Sequence, residues 1–428
     1  MNKVMILELT LHQQLVGYLA GFHDGKNVLL FSDSFRANID RPTLGLITHP
    51  TFPNSVKLLE QDWVSHQRLH PILSNLLPEG ALRELLAQGL KTHIDNEFQI
   101  FAALGHDLPG GLVAKQLMPN HIPDQLQRRL QLSNINQIMN IEISPSNKFS
   151  LAGVQMKFSM KEKDGRFNLS QVMSSEDSTQ LGDWIIKTPS TRHAYVPLNE
   201  YTAMTLAMLA GVDIPEIKLV DMAQIDNLPP INLPQEQYAF AIKRFDRQTV
   251  SNEIDRVHME DFAQVLVKYP HEKYNSANYE QIGRILYQYS GNAIDDIQQF
   301  ARRLLVNILL ANGDAHLKNW SLIYRDQKTP EISPAYDILT TSVYIEGERQ
   351  FALNLAKNKD WYLTEMSHFQ SWSEKAGVPW RMIKPHLDDV IEKARTLWPT
   401  ALDSLPMIAE HQVKLRAHWQ QLRPDLRI

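Results

Sequence analysis

The sequence predicts an α+β chain in which a small N-terminal unit of sheet and helices precedes a β-rich lobe and then a helical lobe. Three observations predict it. Short β-like runs separated by turn signals fill the first fifty residues. A period of two then sets in, with Val154, Met156, Phe158 and Met160 alternating with Gln155, Lys157 and Ser159. Beyond Arg247 the period becomes helical, most clearly where Ile297, Phe300, Leu304, Ile308 and Ala311 share one face.

Taken in order, residues 14–19 and 27–31 read as strands, with Asp24-Gly25 as a turn between them. Residues 74–80 lead into a helix over 81–90, whose apolar positions 82, 85 and 86 fall on one side. Residues 118–147 are polar and dotted with Pro and Asn, which places a junction there, and with the helical character that begins at Arg247 the chain divides into 1–118, 119–246 and 247–428. After the junction, the alternating strand ends at Asp164-Gly165, a hairpin turn. Residues 184–187 form a second strand, 199–209 a helix and 238–245 a further strand. The helix through 297–311 is followed by Gly313, where a helix C-terminus is expected. Residues 320–324, a polar turn over 325–328 and residues 331–333 then read as a hairpin running into Tyr336-Asp337-Ile338.

Composition removes several function classes. The 428 residues include no cysteine, so disulfide frameworks, thiolate zinc sites, iron–sulfur clusters and cysteine nucleophiles are excluded together, and a reducing compartment fits. With 43 Lys plus Arg against 48 Asp plus Glu, no global field attracts nucleic acid; contact with DNA must come from a local patch or a partner. Lys414, Arg416, Arg423 and Arg427 make the tail locally basic, which reads as a solvated helix face. The apolar run 4–7 is cut by Glu8, and no segment approaches the roughly 20 apolar residues that span a bilayer, so a cytoplasmic location without membrane attachment is expected. His271-Glu272 is followed by Lys273, Tyr274 and Asn275, so no HExxH zinc motif forms there.

The chemistry concentrates in Gly313-Asp314-Ala315-His316-Leu317-Lys318-Asn319. An aspartate followed five residues later by an asparagine is the spacing of a phosphotransfer loop, where the carboxylate accepts a hydroxyl proton and the amide oxygen binds magnesium. A solvated loop after the helix is the bland alternative. Asp337, returning after the hairpin, would be the second metal ligand; a strand-end turn is its alternative. In the β-rich half, the small residues Ala152 and Gly153 let backbone N–H groups approach a phosphate, although a single glycine also suits an ordinary strand entry. Lys187 ends an apolar strand and would be costly to bury unpaired, so it needs an anionic partner or must snorkel to water. Glu200 in the next helix is the carboxylate that would orient it. Lys243 and Phe245 would offer backbone groups to adenine, and Asp246 would accept ribose hydroxyls; a charged strand end in water is the alternative.

Assembled in order, these residues resemble the HipA family of serine/threonine kinases, the toxins of bacterial type II toxin–antitoxin pairs. The matching segments are 150–157, Ile185-Ile186-Lys187, Asn199-Glu200-Tyr201, Arg244-Phe245-Asp246-Arg247, 313–319 and Tyr336-Asp337-Ile338, together with Asn75-Leu76-Leu77-Pro78-Glu79-Gly80 and Leu104-Gly105-His106-Asp107 with Gly110-Gly111 near the N-terminus. The resemblance implies a two-lobed protein-kinase-like fold with an N-terminal subdomain, using ATP and Mg2+. It implies Asp314 as catalytic base and Asn319 and Asp337 as metal ligands. Ala152, Gly153, Val154, Gln155, Met156 and Lys157 become the phosphate loop and Lys187 the phosphate-binding lysine. Lys243, Arg244, Phe245, Asp246 and Tyr336 fall at the nucleotide, as do His316 and Lys318, the latter offsetting γ-phosphate charge. Ser150 is implied as a self-phosphorylation site that shuts the enzyme off. A HipB-like helix-turn-helix antitoxin carrying most of the operator DNA contact is the implied partner, and an aminoacyl-tRNA synthetase, such as the glutamyl enzyme, the implied substrate. The competing readings are a small-molecule kinase similar to aminoglycoside phosphotransferases and a catalytically silent subunit of an antitoxin–DNA complex.

Overall fold

The computed structural model describes residues 3–132, 155–169, 181–228, 232–250 and 253–428. Ser150, Ala152, Gly153 and Val154 lie outside these. An N-terminal antiparallel sheet has the order β4-β3-β2-β1-β5, from β1 Val4–Leu11, β2 Gln14–Phe22, β3 Lys26–Phe31, β4 Trp63–His66 and β5 Leu112–Gln116. His12 and Gln13 join β1 to β2 with φ of 48° and 63°, the two left-handed residues a tight hairpin loop needs. The expected strands over 14–19 and 27–31 are β2 and β3, while β1 had no strand signal in the sequence. Its two faces enter different cores: Met5, Leu7, Leu9 and Leu11 one, Val4 and Ile6 the other. A strand covered on both sides shows no apolar–polar alternation.

The second sheet has the order β10-β7-β6-β8-β11-β9, from β6 Lys157–Lys163, β7 Arg166–Leu169, β8 Trp184–Lys187, β9 Ile217–Asp221, β10 Ile225–Asp226 and β11 Tyr238–Lys243. Here the period-two reading holds: Met156, Phe158 and Met160 are buried together with Trp184 and Ile186. Asp164 and Gly165, at φ 52° and 75°, make the β6–β7 turn. Ala81 and Leu85 of the N-terminal helix Gly80–Gly89 pack on this face, and the helix Val196–Leu209 covers the other through the core that holds Phe240 and Ile242.

Helices Tyr279–Tyr289, Ala293–Leu309, Met366–Ala376, Trp380–Ser404 and Ala409–Gln421 build the C-terminal lobe around the largest core. The predicted face of Ala293–Leu309 is buried, with Phe300 4.6 Å from Trp320 and 5.6 Å from Trp372 between ring centres. The helix closes differently from expectation. Ala311, at φ 52°, takes the left-handed position, and Gly313 serves a close approach instead: a Cβ there would lie 2.4 Å from the Glu348 carboxylate. Among the described residues no helix is long and apolar enough to cross a membrane.

The predicted hairpin forms, with Ser321–Tyr324 paired to Glu331–Ile332, and a strand with no sequence signal, His258–Asp261, adds to its other edge. Its polar residues are buried because they face the N-terminal unit. The His258 ring lies 2.8 Å from the Leu44 carbonyl, and Glu260 accepts the Leu46 N–H at 2.6 Å and the Tyr324 hydroxyl. Burial pushes the Glu260 carboxyl up to about 8, and its second oxygen has no hydrogen-bond partner. The unfolded chain ionises near the ordinary value of 4.5 while the folded one stays protonated, so stability falls as pH rises from about 4.5 to 8. Glu260→Gln removes this loss. The unfolding temperature of the variant should therefore pull ahead of the parent's between pH 5 and 8, by a margin on the order of a few kcal/mol in stability. Parallel pH profiles of the two proteins would show the group to be ordinary.

Candidate active site

Strand register brings the first charged groups together. In the antiparallel pairing Lys157 of β6 lies opposite Lys187 of β8, which lies opposite Phe240 of β11, so all three project from the same face. That face looks toward Asp337. Lys187 Nζ donates to both Glu200 and Asp337, 5.5 Å from the Phe240 ring centre, and Lys157 Nζ reaches the second oxygen of Asp337 at 3.0 Å. Burial opposes a charge on Lys187, but the two carboxylates outweigh it and hold the ammonium protonated. Burial likewise opposes ionisation of Asp337, and the two lysines outweigh it, keeping its carboxyl well below the usual range. The sequence pairing of Lys187 with Glu200 is present. The clamp of Lys157 on Asp337 across 180 residues had no sequence signal.

Neighbouring residues hold this arrangement. Asn199 exchanges hydrogen bonds with the backbone of Thr340, at 3.0 and 2.9 Å, so the helix carrying Glu200 is fastened to the chain just after Asp337. Asp337 itself has φ 54°, a left-handed conformation unusual for a residue with a side chain and one that accumulates at functional sites.

The second half of the site is the loop after Ala293–Leu309. Asn312, fully buried, accepts the Asp314 N–H at 3.0 Å and donates to the Asp337 carbonyl at 3.3 Å, tying the two aspartate loops together. Asn319 Nδ2 donates to the Asp314 carbonyl at 2.8 Å, which turns its amide oxygen away as a ligand role requires. The Asp314 carboxylate is 45% exposed and accepts the Tyr274 hydroxyl at 2.6 Å. Below, buried Arg303 donates to the Asn319 and Tyr336 carbonyls and lies between Trp320, at 4.5 Å, and Tyr336, at 5.2 Å. Burial pushes its guanidinium down to about 10. His316 lies edge-on to Tyr274 at 5.0 Å, and burial pushes its imidazole down to about 4, so it is neutral. Asn312, Arg303 and Tyr274 received no role from the sequence, although an arginine and Asn307 inside an apolar helical stripe were a visible anomaly.

Other expected residues sit elsewhere. Asp246 cannot serve a ribose: it is buried and accepts Arg244 at 2.9 and 2.7 Å, Arg247 at 2.9 Å and the Gly110 N–H at 2.8 Å. Arg244 is spent on the same network and on Ser159 at 2.9 Å. Lys243 donates through its side chain to Asp183 at 2.7 Å and through its N–H to the Glu216 carbonyl at 2.8 Å. Phe245 is different: its ring lies 5.6 Å from Tyr336, and its backbone groups have no partner among the described residues. Lys318 does not face a phosphate site, because its ammonium is taken by Asn75, at 2.8 and 3.1 Å, and by Asp261 at 3.0 Å. Met156 is buried in the core beneath the sheet rather than facing Asp337.

Two family models match the chain. Residues 149–398 match the HipA-like C-terminal domain and residues 7–115 the HipA N-terminal domain. The chain belongs to the HipA family. Among relatives of this HipA-family chain, the putative kinase Y4dM of Sinorhizobium fredii is 35% identical over 410 residues, covering 96% of this chain and 95% of that one. The serine/threonine-protein kinase toxin HipA of Shewanella oneidensis is 23% identical over 444 residues, covering 98% and 94%. In solved form, the HipA of the Shewanella oneidensis HipA, HipB and operator DNA complex superposes with a TM-score of 0.71 at 20% identity, covering 97% of each chain. That likeness establishes the kinase-like fold. HipA-family membership covers both the N-terminal unit and the two lobes, and it places this chain in a serine/threonine kinase toxin family, these two relatives both being named kinases.

The donor set fits a magnesium ion delivered with a triphosphate. Asp337 offers one carboxylate and Asn319 one amide oxygen, and no cluster of three or more metal-binding side chains occurs among the described residues. Magnesium characteristically takes one or two protein ligands and completes its shell with phosphate oxygens and water.

Proposed function

We propose that this chain is an ATP-dependent serine/threonine protein kinase that arrests growth as the toxin of a bacterial toxin–antitoxin pair. The observation that carries the reading is the meeting of Lys157, Lys187, Glu200 and Asp337, from two strands, a helix and the loop after the hairpin, beside a loop whose aspartate and asparagine are internally braced. Asp314 accepts the proton of the acceptor hydroxyl. With nucleotide bound, Lys157 and Lys187 would exchange Asp337 for phosphate oxygens, and that carboxylate with Asn319 would hold the metal. A magnesium ion held by these residues would supply neutralising charge to the phosphate being transferred. The backbone of Phe245, which has no partner among the described residues, receives the base, with Tyr336 beside it. The segment running into Lys157 would supply the phosphate loop, and phosphate on Ser150, which precedes it in sequence, would compete with nucleotide for the same donors.

The partner reading rests on the family. The similar solved chain is bound to HipB and operator DNA, and a HipB-like antitoxin that carries most of the DNA contact suits the net charge of -5. The substrate is an aminoacyl-tRNA synthetase. Purified chain incubated with Mg-ATP and candidate synthetases, followed by mass spectrometry, tests both parts. Phosphate on a synthetase serine and on Ser150 is expected, and Ser150→Ala should keep transferring phosphate over hours in which the parent enzyme decays. Equal decay of the two proteins would remove the self-inactivation claim.

A further inference from the structure

Asp314 already holds a hydroxyl. The Tyr274 side chain donates to its Oδ1 at 2.6 Å, the contact an acceptor serine must make to surrender its proton. The tyrosine is 39% exposed and the carboxylate 45%, so the contact lies at the mouth of the site and not in its foundations. Burial, and then the adjacent Asp314, raise the phenol, which stays protonated as the donor.

The loop that delivers Tyr274 is held from outside the kinase lobes. Arg68 meets the His271 ring at 2.8 Å, Asn75 donates to the Lys268 carbonyl at 2.7 Å, and Glu79 accepts Lys273 at 2.6 Å. Asn75 also takes Lys318 from the catalytic loop, with Glu79 at 3.5 Å. The same N-terminal residues thus brace both the loop that bears the base and the loop that covers it.

Resting on the kinase reading above, we propose that Tyr274 is a gate on the catalytic base: its hydroxyl occupies the acceptor position, is held there by Arg68, Asn75 and Glu79 of the N-terminal subdomain, and must leave before a substrate hydroxyl can enter. The gate makes the N-terminal subdomain a control on acceptor entry while nucleotide binding is left alone. A tyrosine that merely oriented Asp314 would have the opposite effect on rate when its hydroxyl is removed.

The test uses the full chain with Mg-ATP and water as acceptor, reading ADP release. Tyr274→Phe should raise the turnover rate about tenfold, the scale of one hydrogen bond to a charged acceptor, with KM for ATP unchanged. Lys273→Met, which frees the loop from Glu79 while keeping the tyrosine, should give a smaller rise in the same direction. A Tyr274→Phe rate equal to or below the parent's overturns the gate while the parent's own turnover keeps the kinase reading intact. If the parent binds no ATP and releases no ADP, both fall together.

Discussion

Asp314→Asn transfers phosphate about 10²–10⁴-fold more slowly than the parent chain, the span that a positioned general base contributes, and unfolds at the same temperature. The side chain is an acceptor of one hydrogen bond, from Tyr274, and an asparagine oxygen can still take it. The local backbone is held independently of the carboxylate, since the Asp314 N–H is fixed by Asn312 and its carbonyl by Asn319. The substitution therefore removes the proton acceptor and little else. Rates with Mg-ATP and a protein acceptor, set beside thermal melts, separate the two effects, and a variant that keeps near-parental transfer would strip Asp314 of its role.

Asp246→Ala should have the largest effect on stability, a loss of about 3–5 kcal/mol, the cost of taking one partner from a buried ion network. Two guanidinium groups, Arg244 and Arg247, and the Gly110 N–H converge on this carboxylate, and both arginines are buried. Asp107 reaches Arg247 at 3.1 Å and can compensate only from the side. Burial works against the Asp246 charge, yet Arg244 and then Arg247 hold its carboxyl far below the usual range. A depressed carboxylate contributes stability that is complete above its unfolded value, near pH 4, and is lost as pH falls toward the folded one. Denaturant unfolding at pH 7 should show an earlier midpoint for the variant, with a separate transition for the N-terminal unit as its seam loosens. An unchanged midpoint would mean that the network is solvated and idle.

Different parts of the molecule were legible to different degrees. Strand β6 and the first half of the helix Ala293–Leu309 were readable because one face is buried and the other is more open, which prints a period on the chain. The strands β1 and His258–Asp261 were not: one is covered on both faces, and the other buries His258 and Glu260 against Leu44 and Leu46, more than 200 residues away. Lys187 with Glu200 was found because a lysine closing an apolar strand demands a counter-charge, and the next helix supplies one. Lys318 and Asp246 were placed at the nucleotide because their position beside the site is local information, whereas their partners Asn75, Asp261, Arg247 and Gly110 come from other parts of the chain.

The sequence by itself determined which chemistry the chain could attempt: the acid–amide spacing of Asp314 and Asn319, the later Asp337, and the basic strand end at Lys187 are facts of order along one polymer. The tertiary structure decided which charges work and which are structural. A carboxylate or ammonium in a dry interior goes to the nearest opposite charge in space, and packing alone sets that distance.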